Sequence, residues 1–158
     1  MSESAVQTAL QVLFQGMAAF DDADVVINDW RILDGSTQAA PFVIIETGDE
    51  IGSVQTSRYA ETTYSIKVYL FETFTTWKET LDNFTTRRDA ILTLFNDSST
   101  GNRAAGSVDA ASVAIDIEEI RASSGVEPWY THYVSAEDAA NAVPNYLWQL
   151  LIFQAKES

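Results

Sequence analysis

The chain contains no cysteine and a single histidine, His132. The first absence excludes disulfide staples, thiolate metal ligands and a cysteine nucleophile. The second leaves little from which to build a zinc site or a histidine-based catalytic triad. Positive charge is scarce as well: nine Lys and Arg stand against 23 Asp and Glu in 158 residues, a formal net charge of -14. Such a surface repels polyanions, so sequence-specific DNA or RNA binding is not expected. The longest apolar stretches, such as Phe42–Ile45 and Leu150–Phe153, fall far short of the ~20 residues that span a bilayer. Met1–Ser4 is acidic where a signal peptide is basic, so a protein made and used inside a cell, or inside a particle assembled there, is expected. Gly48, Gly52, Gly101, Gly106 and Gly125 are scattered, and none opens a helix with a following Lys-Ser/Thr, which argues against nucleotide hydrolysis.

What is present is 46% hydrophobic and 11% aromatic, enough for one domain over residues 1–158 with one sizeable core. Val6, Leu10, Leu13, Phe14 and Met17 recur at three- and four-residue intervals, predicting a helix over Ala5–Phe20 with Ser4 and Gln7 as a capping box. Leu10–Gly16 resembles the linker cut by picornaviral main proteases, yet the amphipathic period runs straight through it. After Asp21, Asp22 and Asp24, either Val25–Ile27 or Trp30–Leu33 supplies a short strand, and Asp34–Ser36 is turn chemistry. Pro41–Thr47 is apolar on both faces, as in a strand within a sheet. Gly48–Ser53 reads as an acidic, glycine-punctuated loop. Glu61–Phe71 alternates, with Tyr64, Ile66, Val68 and Leu70 on one face and Thr63, Ser65, Lys67 and Tyr69 on the other. Thr75 and Thr76 cap a second helix running to Asn96, with Trp77, Leu81, Phe84, Ile91, Leu92 and Phe95 in one row. Asn96–Ser107 reads as a loop, Val108–Arg121 as a strand, and Tyr146–Ala155 as a strand within the sheet. The four strands 41–47, 61–71, 108–121 and 146–155 are expected in one sheet with both helices packed on it. Residues 123–145 show no period and are expected to form a long loop or arm that orders on a neighbour.

No catalytic, cofactor or metal site emerges. Asp21, Asp22 and Asp24 lack the later Gly and Glu of a calcium loop and read as solvated helix-end charge. Glu118 and Glu119 point to opposite faces of a strand and cannot act as an acid–base pair. His132 is a packing or contact residue rather than a general base. Contact surfaces are better candidates. Lys78, Arg87 and Arg88 fall in the one charge-balanced stretch, residues 61–95, where an acidic partner surface would meet the chain. Arg88 either lays its stem along the core edge with its guanidinium in water or serves as an interface charge. Trp129, Tyr130, His132 and Tyr133 either anchor an interface or fold back to seal the domain's own core.

The order of elements resembles the tail terminator, or tail completion, proteins of long-tailed bacteriophages. The resemblance rests on an N-terminal amphipathic helix, the strand PFVIIET, an acidic glycine loop, the alternating strand YSIKVYLFE, the helix WKETLDNFTTRRDAILTLFN, an Ile-rich strand and the last strand LWQLLIFQA. It covers most of the chain and is a pattern of elements rather than an invariant motif. It implies an α+β fold, a small twisted, mainly antiparallel sheet of about four to five strands flanked by two helices. It further implies a structural virion protein without enzymatic activity or cofactor, assembled in the host cytoplasm into a hexameric ring. That ring would cap the head-proximal end of the tail tube, stop tube polymerisation and dock to the head-side connector or stopper protein. DNA would pass through its lumen without specific binding, and a carboxylate-rich wall disfavours the counterion release that drives adhesion. Other expectations are a different neck connector, a tube subunit, or a small ligand-binding or hydrolytic α/β domain.

Overall fold

The computed structural model describes residues 3–18, 20–33, 41–46, 48, 50–53, 61–96, 115–131, 133–138 and 141–157. Helix α1 (Glu3–Gln15) leads into strand β1 (Val25–Ile27), followed by β2 (Phe42–Glu46), β3 (Glu50–Ser53) and β4 (Glu61–Thr73). Helix α2 (Trp77–Asn96) precedes β5 (Ile115–Ala122), β6 (Glu127–Trp129) and β7 (Tyr146–Glu157). All strands join one sheet, so the chain is an α+β domain.

β4 and β7 form its spine, paired antiparallel from Thr63↔Lys156 to Thr73↔Tyr146. The outer edge of each is shared by two shorter strands. β2 and β3 lie end to end along β4, pairing with residues 67–71 and 61–64; β5 and β6 do the same along β7. β1 adds to β2 in parallel, the single parallel pair among the described strands. The described residues therefore form a sheet of seven strands, more than the four or five expected, because β3 and β6, of four and three residues, join it as well. Segments that short carry too little alternation to register as strands.

The alternation in β4 is realised. Tyr64, Ile66, Val68 and Leu70 join Val43, Ile45, Leu147, Leu151 and Phe153 on one face, where Val6, Leu10 and Phe14 of α1 and Phe84 and Ile91 of α2 cover them. Leu10 and Phe14 are fully buried, so the protease-linker-like segment is part of the core. Two α1 glutamines also cap loop carbonyls, Gln11 Nε2 donating to Val25 O and Gln15 Nε2 to Asp22 O, each at 3.0 Å. This helix begins two residues earlier than expected and stops at Gln15, so Ser4 lies within its first turn rather than capping it. In α2, Thr76 is the N-cap: its Oγ1 accepts the Glu79 N–H at 3.2 Å, while Thr80 Oγ1 accepts the Thr75 N–H at 3.0 Å. The expected apolar row does not stay covered along its length, for Trp77 and Leu81 are 51% and 39% exposed. Buried Thr80, Phe84 and Ile91 mark the true inward stripe.

Two further expectations are corrected, and one that the sequence leaves open is resolved. Glu50–Ser53 is strand β3, not loop. Of the two candidates after α1, Val25–Ile27 is the strand, and Trp30–Leu33 is a 3-10 turn entered after Asn28 takes φ 53°. Residues 123–145 are not wholly an arm, since Glu127–Trp129 pairs with β7. In β5 the register shifts between Ile117 and Glu119, so simple alternation does not hold through Glu118. The expected Asp34–Ser36 turn, the loop at 97–107, strand residues 108–114 and His132 lie outside the described residues.

Candidate interaction surface

The sheet face opposite the helices is built from the other half of the same alternation. Phe42, Ile44, Phe71, Tyr146 and Leu33 are its buried centre. Trp30, Tyr69, Trp129 and Trp148 ring that centre and are half-buried. Phe42 and Phe71 are direct cross-strand partners and stack at 4.7 Å, and Tyr146 meets both edge-on. Trp30 packs against Tyr69 at 4.7 Å and stacks on Trp129 at 6.1 Å. Edge-to-face and offset contacts of this kind contribute beyond area burial, about 0.5–1.5 kcal/mol a pair. Among the described residues no α-helix covers this face; the Trp30–Leu33 turn is what reaches over it.

Polar tips organise the rim. The Trp30 indole N–H donates to Glu46 Oε2 at 3.0 Å, fixing the ring over β2. Burial, and secondarily the Glu46 carboxylate, pushes the Tyr69 phenol above its ordinary pKa of 10.0. Beside the turn, the side-chain hydrogen bond from Arg31 holds the exposed Asp29 carboxyl below its ordinary value.

Further along β4 and β7 the same face becomes a half-apolar depression of about 380 Å³, lined by Ser65, Lys67, Arg121, Ser123, Leu150 and Ile152. Gly48 closes one side. A Cβ there would overlap the Ser65 carbonyl oxygen, so only glycine lets the chain run this close beside β4 at the junction of β2 and β3. The Gly48 N–H in turn donates to Glu3 Oε1 at 3.0 Å, tying this junction to the start of α1.

The residues singled out from sequence are placed as follows. Arg87 faces the sheet and forms an ion pair with buried Glu72, Nη2 to Oε1 at 3.0 Å. Arg88 donates to Gln149 Oε1 at 3.0 Å, and Gln149 Nε2 passes the link to the Ser124 carbonyl at 2.8 Å. Both guanidiniums thus have partners inside the chain and pin α2 across β4 and β7. Lys78 stands in solvent beside Trp77 and pairs with Asp82 one turn on, at 3.0 Å. Trp129 belongs to the aromatic cluster, the fold-back alternative. Tyr130 is half-buried and Tyr133 is 90% exposed. The structure does not bring these six residues together into one patch. Lys67 and Arg121, which do converge, were missed: they come from strands β4 and β5 separated by β7, and neighbours across a sheet carry no signature in sequence spacing.

Among the described residues no cluster of three or more His, Asp or Glu is placed to hold a metal ion, and no helix is long and apolar enough to cross a membrane. Compared with known proteins, the chain matches no family model and no curated sequence.

Proposed function

We propose that this protein is a structural component of a bacteriophage tail, a terminator whose copies form a ring on the head-proximal end of the tail tube. There the ring stops tube growth and offers a face to the head-side connector. The element order described above supports this reading, and the observation that carries it is the sheet face that no described helix covers. Three half-buried indoles and Tyr69 share one rim there, and large amphipathic aromatics contribute most to protein–protein contact at little entropic cost. The acidic balance of the chain is compatible with a lumen through which DNA passes without adhering. Electron microscopy of particles from a phage carrying this gene, intact and interrupted, tests the proposal. Interruption is expected to give overlong tubes that fail to join heads; tails of normal length and attachment would refute it.

A further inference from the structure

The cations of this chain are few, and four of the six with described side chains have a partner inside it. Arg31 pairs with Asp29, Lys78 with Asp82 and Arg87 with Glu72, and Arg88 donates to Gln149. The remaining two, Lys67 and Arg121, have no ion pair among the described residues, and both line the depression on the sheet face that no described helix covers. Acids flank both without an ion pair: Glu46 lies across from Lys67 on β2, its Oε2 accepting the Trp30 indole hydrogen bond, and Glu119 precedes Arg121 by two residues on the same face of β5. Leu150 and Ile152 form the apolar floor between them. In a chain of net charge -14, two cations that line one depression and make no ion pair among the described residues are set up to receive carboxylates from outside.

We propose that this depression is a socket for a second copy of the chain, and that the occupant is the acidic turn at Asp21–Asp22. This inference rests on the ring reading above and names the contact that would build the ring. Both carboxylates are exposed. The backbone of the turn is held in place, with Gln15 Nε2 on Asp22 O and the Asp24 N–H donating to Asp21 O at 2.9 Å, so little ordering remains to be paid on docking. Position supplies the second argument. The turn immediately precedes β1, the outermost strand at one end of the sheet, while Arg121 belongs to β5 at the other end. A contact joining opposite edges of identical subunits is heterologous, head to tail, and such contacts close into rings when the rotation between subunits allows.

Charge exchange tests it, using the interrupted phage gene complemented from a plasmid. K67E/R121E places four like charges across the contact and should lower the yield of finished particles about tenfold or more, with unchanged circular dichroism. Adding D21K/D22K to the same chain restores opposite charges with their polarity inverted and should return the yield to near that of the wild type, which a residue needed only for folding would not do. If K67E/R121E complements like the wild type, the socket is wrong and the terminator reading stands. If the fourfold variant fails like K67E/R121E, the occupant is not this turn and the proposal is overturned. If interrupting the gene leaves tails normal, the terminator reading itself fails, and the inference with it.

Discussion

Replacing Arg87 with Met is expected to destabilise the fold, not merely to alter its surface. Glu72 is buried at 4% exposure on the helix-covered face of β4, and Arg87 meets it with two donors, Nη2 at 3.0 Å and Nε at 3.4 Å. Removing one member of a buried pair leaves a charge without compensation and typically costs about 3–5 kcal/mol. The Arg87 side chain is 25% exposed, so water can reach the vacated side, and a loss of about 2–3 kcal/mol is expected. For a domain of this size that lowers Tm by roughly 5–10 °C. The double variant E72Q/R87M removes both charges and should recover most of the loss, to within about 1 kcal/mol of the wild type. Urea titration followed by circular dichroism measures all three chains. An R87M midpoint equal to that of the wild type, or a double variant no more stable than R87M, would refute the argument. R87E would set a carboxylate against Glu72 and is therefore a folding variant, unsuitable for probing contacts between subunits.

Gly48→Ala should cost about 1–3 kcal/mol by forcing β4 and the β2–β3 junction apart, and should loosen the start of α1 through Glu3; equal unfolding midpoints would contradict this. The raised Tyr69 phenol implies that its contribution to stability is complete below the ordinary value of 10.0 and is lost as pH rises through the folded value, because the unfolded chain releases that proton first. Tyr69→Phe should flatten the alkaline fall in stability, and an unchanged slope would show that Tyr69 is not its source. Native protein should resist a picornaviral main protease at Leu10–Gly16, since Leu10 and Phe14 are fully buried, and should be cut once unfolded in urea that the protease tolerates; rapid cleavage of the native chain would contradict the packing of α1.

The elements longer than about ten residues were legible in the sequence because each repeats its period several times. α1, β4, α2 and β7 follow from the spacing of Leu10 and Phe14, the alternation through Tyr64–Leu70, the Thr75–Thr76 cap and the apolar run at Leu147–Phe153. Net charge and the lack of cysteine were equally local facts. What tertiary structure alone decided was partnership. β3 and β6 exist because longer strands offer open edges, and three or four residues cannot state that in isolation; of the two short candidates after α1, only pairing with β2 selects Val25–Ile27. Arg87 and Arg88 look like surface cations on a charged helix, and only the packing of α2 brings Glu72 and Gln149 beneath them. Trp129 takes its place beside Trp30 and Phe71 because β6 docks on β7. Lys67 and Arg121 become neighbours only through β7 between them. Periodicity reports which face of its own element a side chain occupies. Which side chain it meets across the sheet depends on pairing between distant segments, set by the whole fold at once.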